Sequence, residues 1–155
     1  MTNNKKSKMK NPTVSILTIN QIKRQDTILL TVEHVNNQTY KNIIEWVIVE
    51  GSKNLEDCLE NEKFIQSLKC DIPIVYIPGH TNGIFNNSHL GELRNISNKK
   101  SKGEICVVMD DDDWYPKTRV EHAVSMLINS KAEIAGCSNK SVSYTHLTLP
   151  TKRIV

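Results

Sequence analysis

Residues 105–116 read ICVVMDDDDWYP, and this stretch decides how the rest of the sequence is interpreted. An apolar, β-branched run predicts a buried strand, and four consecutive aspartates follow it directly. Adjacent carboxylates repel one another, so they are unfavourable there unless a cation or water neutralises them. Mg²⁺ and Mn²⁺ bind one or two carboxylates and complete their coordination with phosphate and water oxygens. On an extended segment Asp110 and Asp112 face the same side, so we predict that this pair binds a divalent cation while Asp111 and Asp113 face elsewhere.

Three other interpretations of the acidic run are weaker. A solvated turn that caps the helix starting near Pro116 explains the charges, but not the hydrophobic strand in front of them. A calcium-binding EF-hand loop requires a glycine and a distal glutamate that this segment lacks. Phosphatases of the haloacid-dehalogenase type also place two aspartates after a strand, but they expect Thr or Val where this chain has Trp114.

Apolar runs alternate with segments of helical periodicity along the chain. The runs predict strands over residues 13–19, 45–49, 74–77, 105–109 and 134–137. Such alternation predicts an α/β fold, a mostly parallel sheet with helices on both faces. Ligands bind these sheets at the carboxyl ends of the strands. The strand-ending residues Asn20, Glu50 and Asp110 are therefore candidate site residues, and a Gly- and Asn-rich stretch over residues 79–88 predicts a loop.

Composition indicates an ordinary globular domain. The 155 residues are 38% apolar and 24% charged, with a net charge of +3. A chain of this length can form one hydrophobic core. Residues 1–11 carry four lysines and no aromatic residue, so we interpret them as a disordered basic leader and expect no nucleic-acid partner. No apolar run is long enough for a signal peptide or a transmembrane segment. The four cysteines form no C-x-x-C pair, which favours a reducing, cytoplasmic location.

The last residues break the pattern of strands and helices. Residues 143–152 read SYTHLTLPTK and resemble a peptide translated from sequencing-adapter read-through. We therefore interpret residues 141–155 as a non-native tail and exclude them from the fold. Residues 12–140 are interpreted as one folded domain.

Six motifs in consistent order resemble the family 2 glycosyltransferases of GT-A fold. They are PTVSILTIN (12–20), QTYKN (38–42), VIVEGSKN (47–54), GELRN (91–95), KGEI (102–105) and DDDDWYP (110–116). Each motif alone is weak, but their order is specific. Glu50 departs from the pattern, because the family has aspartate at that position, and GELRN matches only in its Arg-Asn pair and a preceding glycine.

The resemblance implies a role for each matching residue. The nucleotide-sugar-binding set is Thr18 and Asn20 for the nucleoside, Glu50 for the base or ribose, Arg94 for the nucleotide or its phosphates, and Asp110 for the sugar or ribose. Asp112, together with Asp110, is the implied ligand set for Mg²⁺ or Mn²⁺. The implied reaction moves a sugar, with inversion, from a nucleoside-diphosphate sugar (a UDP-sugar is favoured) to the hydroxyl of a glycan, lipid or protein acceptor.

Two alternatives remain open at this stage. In the first, residues 12–140 are an incomplete nucleotide-sugar-binding domain that binds donor and metal without transferring the sugar, since nothing after Cys137 offers a convincing general base and the acceptor-binding half is not found. A nucleotidyltransferase shares a related sheet architecture, but it usually has a Gly-rich phosphate loop after the first strand, and residues 18–22 contain no glycine.

Overall fold

The structure is a computed structural model that describes residues 11–79, 89–130 and 132–136. The predicted basic leader lies outside the described residues except for Asn11. Most of the predicted loop over residues 79–88 and the whole predicted tail also lie outside them. Within the described ranges, no helix combines the length and the apolar character needed to cross a membrane.

In the described residues, four strands and four α-helices alternate along the chain. The strands are β1 (Val14–Asn20), β2 (Ile43–Glu50), β3 (Ile74–Ile77) and β4 (Ile105–Val108), and the helices are α1 (Gln25–Asn36), α2 (Leu55–Ser67), α3 (Leu90–Lys100) and α4 (Arg119–Ile128). A short 3-10 turn, Ile22–Arg24, joins β1 to α1. The strands form one parallel sheet in the order β3-β2-β1-β4. The predicted α/β architecture is confirmed.

Alternate residues of the strands serve two separate hydrophobic clusters, as period-two geometry requires. The larger cluster contains Ile16 of β1 and Trp46 of β2, together with buried residues of α1, α2 and α4. The smaller cluster contains Leu17 and Val47, which pack with Leu93 of α3. Helices therefore cover both faces of the sheet, and a parallel sheet buried on both sides explains the nearly continuous apolar runs.

The prediction of a fifth strand over residues 134–137 is wrong for its described part. Residues 134–136 have an irregular backbone, and Ile134 is 60% exposed. Apolar composition alone does not make a strand, because a strand needs a neighbour that pairs with its backbone. Sheet pairing of β4 in the described residues runs only to β1.

The QTYKN motif joins the end of α1 to the start of α4. The side-chain amide of Gln38 donates to the carbonyl oxygens of His34 (2.9 Å) and Pro116 (3.1 Å), and its oxygen accepts from the Val120 N–H (2.9 Å). Tyr40 donates to the Pro12 carbonyl oxygen at 2.7 Å. The motif therefore satisfies backbone groups that the helix ends leave open, and in this structure its role is architectural.

The KGEI motif fixes the start of β4 against β1. The Glu104 carboxylate accepts from the Thr13 N–H at 2.9 Å, and the Gly103 N–H donates to Ser15 Oγ at 2.8 Å. A side chain on Gly103 would place its Cβ 2.4 Å from Ser15 N and 2.7 Å from Val14 C. Only glycine permits this approach of the two backbones.

Substitution Gly103→Ala should destabilise the fold, because the new methyl group meets backbone atoms that cannot move aside. We expect a loss of about 2–4 kcal/mol in the free energy of unfolding, measured by urea denaturation. Gly91→Ala is the matched control, since a Cβ there meets nothing within 4 Å and Gly91 lies in a helix where alanine is favoured. Equal stability of the two variants would contradict this account of Gly103.

Candidate functional site

The acidic run leaves the sheet through a tight turn. Strand β4 ends at Val108, and Met109 still donates its N–H to the Leu17 carbonyl oxygen at 3.0 Å. Residues 111 and 112 then form a turn, and the Asp113 N–H approaches the Asp110 carbonyl oxygen at 3.5 Å. The extended geometry that we predicted for this run is wrong. Side-chain directions after Asp110 are set by the turn and not by strand alternation.

Tyr115 holds this turn together from beneath. Its hydroxyl accepts the Asp110 N–H at 2.7 Å and donates to Asp113 Oδ2 at 3.3 Å. Tyr115 is only 5% exposed, and burial raises the pKa of its hydroxyl above the ordinary value. Tyr115 therefore stays protonated and keeps donating to Asp113. The structure thus gives Asp113 a partner within the turn.

Asp111 points inward, towards the end of β1. Asn20 Nδ2 donates to Asp111 Oδ2 at 2.7 Å, and Arg24 Nη1 lies 2.8 Å from Asp111 Oδ1. Burial raises the pKa of this carboxyl, and the hydrogen bonds from Arg24 and Asn20 act in the opposite direction. We predicted that Asp111 would face away from the site. That prediction is wrong, because Asp111 contacts Asn20, one of the candidate site residues.

Arg24 joins Asp111 to Asp112. The same Nη1 atom lies 3.2 Å from Asp112 Oδ2, so one guanidinium contacts two neighbouring carboxylates. Arg24 closes the 3-10 turn after β1, and its N–H donates to the Gln21 carbonyl oxygen at 2.9 Å. Asn20 and Asp112 are therefore connected through Asp111 and Arg24 at the carboxyl edge of the sheet.

Glu50 ends β2 and is completely buried. Its Oε1 accepts from the Ser52 N–H at 2.6 Å, and its Oε2 accepts from Asn61 Nδ2 at 2.7 Å and from the Tyr76 hydroxyl. Three donors satisfy this carboxylate within the protein. In this structure Glu50 organises its neighbours, and because it is completely buried a ligand would reach it only after a rearrangement.

Asn61 connects Glu50 to Asn20. The Asn61 Nδ2 group also donates to Asn20 Oδ1 at 3.0 Å, so the ends of β1 and β2 are linked through a helix side chain. Among the described residues, Asn61 Oδ1 is one of the few buried side-chain acceptors without a hydrogen-bond partner. We define the strand-end network as Tyr76, Glu50, Asn61, Asn20, Asp111, Arg24 and Asp112.

Thr18 is buried beneath this network. Its hydroxyl donates to the Met109 carbonyl oxygen at 2.6 Å and accepts from Trp46 Nε1 at 2.8 Å. Both hydrogen-bonding roles of the hydroxyl are used inside the core. Thr18 therefore positions the start of the acidic turn.

Arg94 and Asp110 face each other on the other side of the acidic turn. Arg94 Nη2 lies 3.4 Å from Asp110 Oδ1 and 3.5 Å from Oδ2. Thr18, Arg94 and Asp110 line a cavity of about 660 Å³ that runs along β4 between α3 and α4, whereas Asn20, Glu50 and Asp112 do not line it. The predicted site residues thus form two groups that meet at the acidic turn.

The comparisons with known proteins follow this geometry. The model of the family described as Glycosyl transferase family 2 matches residues 13–152. The chain belongs to this family. Among solved structures, it is similar to S. aureus TarS 1–349 (TM-score 0.60) and to the same protein in complex with UDP-GlcNAc (TM-score 0.61), each at 16% sequence identity. No curated protein sequence matches it.

The family 2 chain corresponds to only part of the TarS chains that it resembles. Each TarS match covers 88% of this chain but only 38% and 37% of the TarS chains. At this identity the likeness concerns the fold, and it agrees with the GT-A architecture that the six motifs predicted. The family match reaches into residues 141–152, which lie outside the described residues. The boundaries proposed for the leader, domain and tail stay predictions.

The carboxylates of the acidic turn in this family 2 chain are too few to hold a small divalent cation unless a bound phosphate supplies further oxygens. Within residues 11–79, 89–130 and 132–136, no group of three or more His, Cys, Asp or Glu side chains is arranged to hold a metal ion. Mg²⁺ and Mn²⁺ bind with one or two carboxylates when phosphate and water supply the remaining oxygens. Asp112 already faces a cation, the Arg24 guanidinium, so the position attracts positive charge.

Sequence reasoning missed three members of the strand-end network, Arg24, Asn61 and Tyr76. Asn61 carried a usable signal, because it lies on the same helix face as Cys58 and Ile65, and both of these are buried. A polar residue on an apolar helix face usually has a buried partner. Arg24 carried no comparable signal, since its place depends on how the 3-10 turn meets the acidic run.

Substitution Thr18→Val should lower stability, because it leaves the buried Trp46 N–H without its acceptor. We expect a loss of about 1–3 kcal/mol in the free energy of unfolding, measured by urea denaturation with tryptophan fluorescence. Thr39→Val is the control, since the Thr39 hydroxyl bonds Glu121 near the surface. If Thr18→Val kept full stability but lost affinity for UDP, the hydroxyl would act on the ligand and not on the core.

His34 should make stability depend on pH. Its ring lies edge-on to Trp114 and Tyr115 (centroids 6.3 and 6.1 Å apart), and burial lowers its pKa below the ordinary histidine value of 6.5. The neutral ring is favoured in the folded state, so this stabilisation is present above pH 6.5 and is lost as the pH falls below it. Melting temperatures between about pH 5.5 and 7.5 should show this slope, and His34→Gln should reduce it.

His122→Gln is the control for this measurement. His122 is exposed on α4, so its removal should leave the pH dependence of the melting temperature unchanged. A slope that survives in His34→Gln and disappears in His122→Gln would contradict the assignment to His34.

Proposed function

We propose that this chain carries the donor-binding part of a glycosyltransferase that moves a sugar from a nucleoside-diphosphate sugar to an acceptor hydroxyl. The observation that carries the proposal is the strand-end network, which links the carboxyl ends of β1 and β2 to the acidic turn after β4. Ligands of open α/β sheets bind at this edge. Membership of the family gives the class of reaction.

A UDP-sugar is the favoured donor. The support is the likeness to S. aureus TarS, one structure of which is in complex with UDP-GlcNAc. We assign the nucleoside to the sheet edge that Asn20 and Glu50, both buried, support from within. The sugar is not specified further, and the acceptor is a glycan, lipid or protein hydroxyl. The chain spans less than two fifths of the TarS chains, so activity of a longer protein and donor binding by this chain are separate parts of the proposal.

Asp112 and Asp110 are the residues that would hold Mg²⁺ or Mn²⁺ in this proposal. The cation would supply positive charge where negative charge accumulates on the departing nucleoside diphosphate. Arg94 lies beside Asp110, and its planar guanidinium is suited to phosphate oxygens. Asp111, Asn20 and Glu50 hold the edge on which the nucleotide lies. Transfer is expected to proceed with inversion, and its general base is not assigned to any residue of this chain.

A binding fragment without turnover is the second candidate, and the unassigned base favours it for these 155 residues. A nucleotidyltransferase is less favoured, because the segment after β1 contains no glycine-rich phosphate loop. The proposed setting is the cytoplasm. It rests on the lack of a C-x-x-C pair in the sequence and on Cys58, Cys70 and Cys106, which are free thiols in the structure.

Calorimetric titration of the purified chain with UDP, with and without Mn²⁺, tests the proposal. We expect UDP binding that requires Mn²⁺ and that Asp112→Ala weakens by about a hundredfold or more, since it removes a metal ligand. Asp71→Ala is the matched control, because Asp71 is exposed. This variant should bind UDP as tightly as the wild type.

The outcomes separate the candidates. Binding of UDP without hydrolysis or transfer from a UDP-sugar would support the binding fragment. Binding of a nucleoside triphosphate with release of pyrophosphate would favour the nucleotidyltransferase. UDP binding that is independent of Mn²⁺ and of Asp112 would contradict the metal assignment.

A further inference from the structure

Arg24 occupies a position where a cation is expected. Its Nη1 atom lies 2.8 Å from Asp111 Oδ1 and 3.2 Å from Asp112 Oδ2. The first contact is to a side chain that is 0% exposed, and the second is to one that is 23% exposed. The guanidinium therefore has an inner carboxylate partner that solvent does not reach and an outer partner that solvent does reach.

The backbone of Arg24 is fixed in this place. Its N–H donates to the Gln21 carbonyl oxygen (2.9 Å), and its carbonyl oxygen accepts from Thr27 Oγ1 (3.0 Å) and Asn20 Nδ2 (3.4 Å). Asn20 Nδ2 is also the donor to Asp111. The Arg24 backbone and the inner carboxylate are thus held by the same amide, which ties the Arg24–Asp111 pair to the end of β1.

A divalent cation on Asp112 would compete with the outer contact. A Mg²⁺ or Mn²⁺ ion lies about 2.1 Å from a ligating oxygen, so it would come within roughly 5–6 Å of the Arg24 Nη1 atom. Two cations this close on one carboxylate repel each other. Asp111 is out of reach of solvent and keeps its arginine, whereas Asp112 is accessible to an incoming ion.

We propose that Arg24 is a built-in counter-ion of the acidic turn. When the donor and its metal bind, the Arg24 guanidinium loses its contact with Asp112 and keeps its contact with Asp111. The inference rests on the proposed function and adds a residue that sets metal affinity. Arg24 keeps the acidic turn neutralised in the absence of donor, and it weakens binding of the metal alone. It acts through Asp112 and is a positioning residue, not a ligand of the metal.

Mn²⁺ binding to the purified chain, followed by electron paramagnetic resonance of the free ion, tests this role without any assay of transfer. Arg24→Gln should bind Mn²⁺ about threefold to tenfold more tightly than the wild type, because one positive charge beside the ligand is lost. Arg24→Lys keeps the charge and should stay within about twofold of the wild type. Lys23→Gln removes the neighbouring exposed charge and should also stay within about twofold.

The sign of the change separates this role from a purely structural one. If Arg24 only supported Asp111, Arg24→Gln would bind Mn²⁺ more weakly than the wild type or equally well, and either result would overturn the inference. Circular dichroism verifies that each variant is folded. If Arg24→Gln does not fold, the measurement is made on the wild type by nitrogen-15 NMR of the arginine side chains. The signal that is missing from the spectrum of Arg24→Lys is then assigned to Arg24. Addition of Mg²⁺ and UDP should shift the Arg24 signal, and an unshifted signal overturns the inference.

Failure of the proposed function gives a different pattern. If the wild type binds no Mn²⁺ either alone or with UDP, the metal assignment fails and this inference fails with it. If the wild type binds Mn²⁺ with UDP and Arg24→Gln has the same affinity, the metal assignment stands and only the role of Arg24 is rejected.

Discussion

The buried carboxylate of Asp111 is the constraint on which the edge of this sheet depends. A charged group that solvent does not reach is strongly unfavourable unless it is paired and hydrogen-bonded. Asn20 and Arg24 meet this requirement, and both belong to the segment that leaves β1. Asp111 thereby binds the acidic turn to the first strand, and removal of either partner would leave an unsatisfied charge in the interior.

The same principle of satisfied polar groups extends along the sheet edge. Glu50 at the end of β2 is completely buried and receives three hydrogen bonds from within the protein, and Asn61 passes the connection on to Asn20. A network in which nearly every group has a partner is rigid. Such an edge presents its outer carboxylate, Asp112, in a defined position, which favours binding of a positively charged ligand.

The family motifs therefore divide into two kinds. QTYKN and KGEI act on the fold: Gln38 satisfies backbone groups between α1 and α4, and Gly103 lets β1 and β4 approach each other. The strand ends and the acidic run form the candidate site. Thr18 belongs to a motif that predicted a nucleoside contact, but its hydroxyl acts on the fold. The hydroxyl donates to the Met109 carbonyl oxygen and accepts from Trp46 Nε1, both inside the core.

The sequence by itself determined the alternation of strands and helices, the parallel α/β fold and the strand ends as the place of the site, because these depend on periodicity and on local motifs. Only the tertiary structure decided which carboxylate faces which partner. The turn at residues 111 and 112 replaced strand alternation, turned Asp111 inward and brought Arg24 between two aspartates. Apolar residues 134–136 likewise gave no strand, since pairing depends on a neighbouring strand that local sequence does not specify.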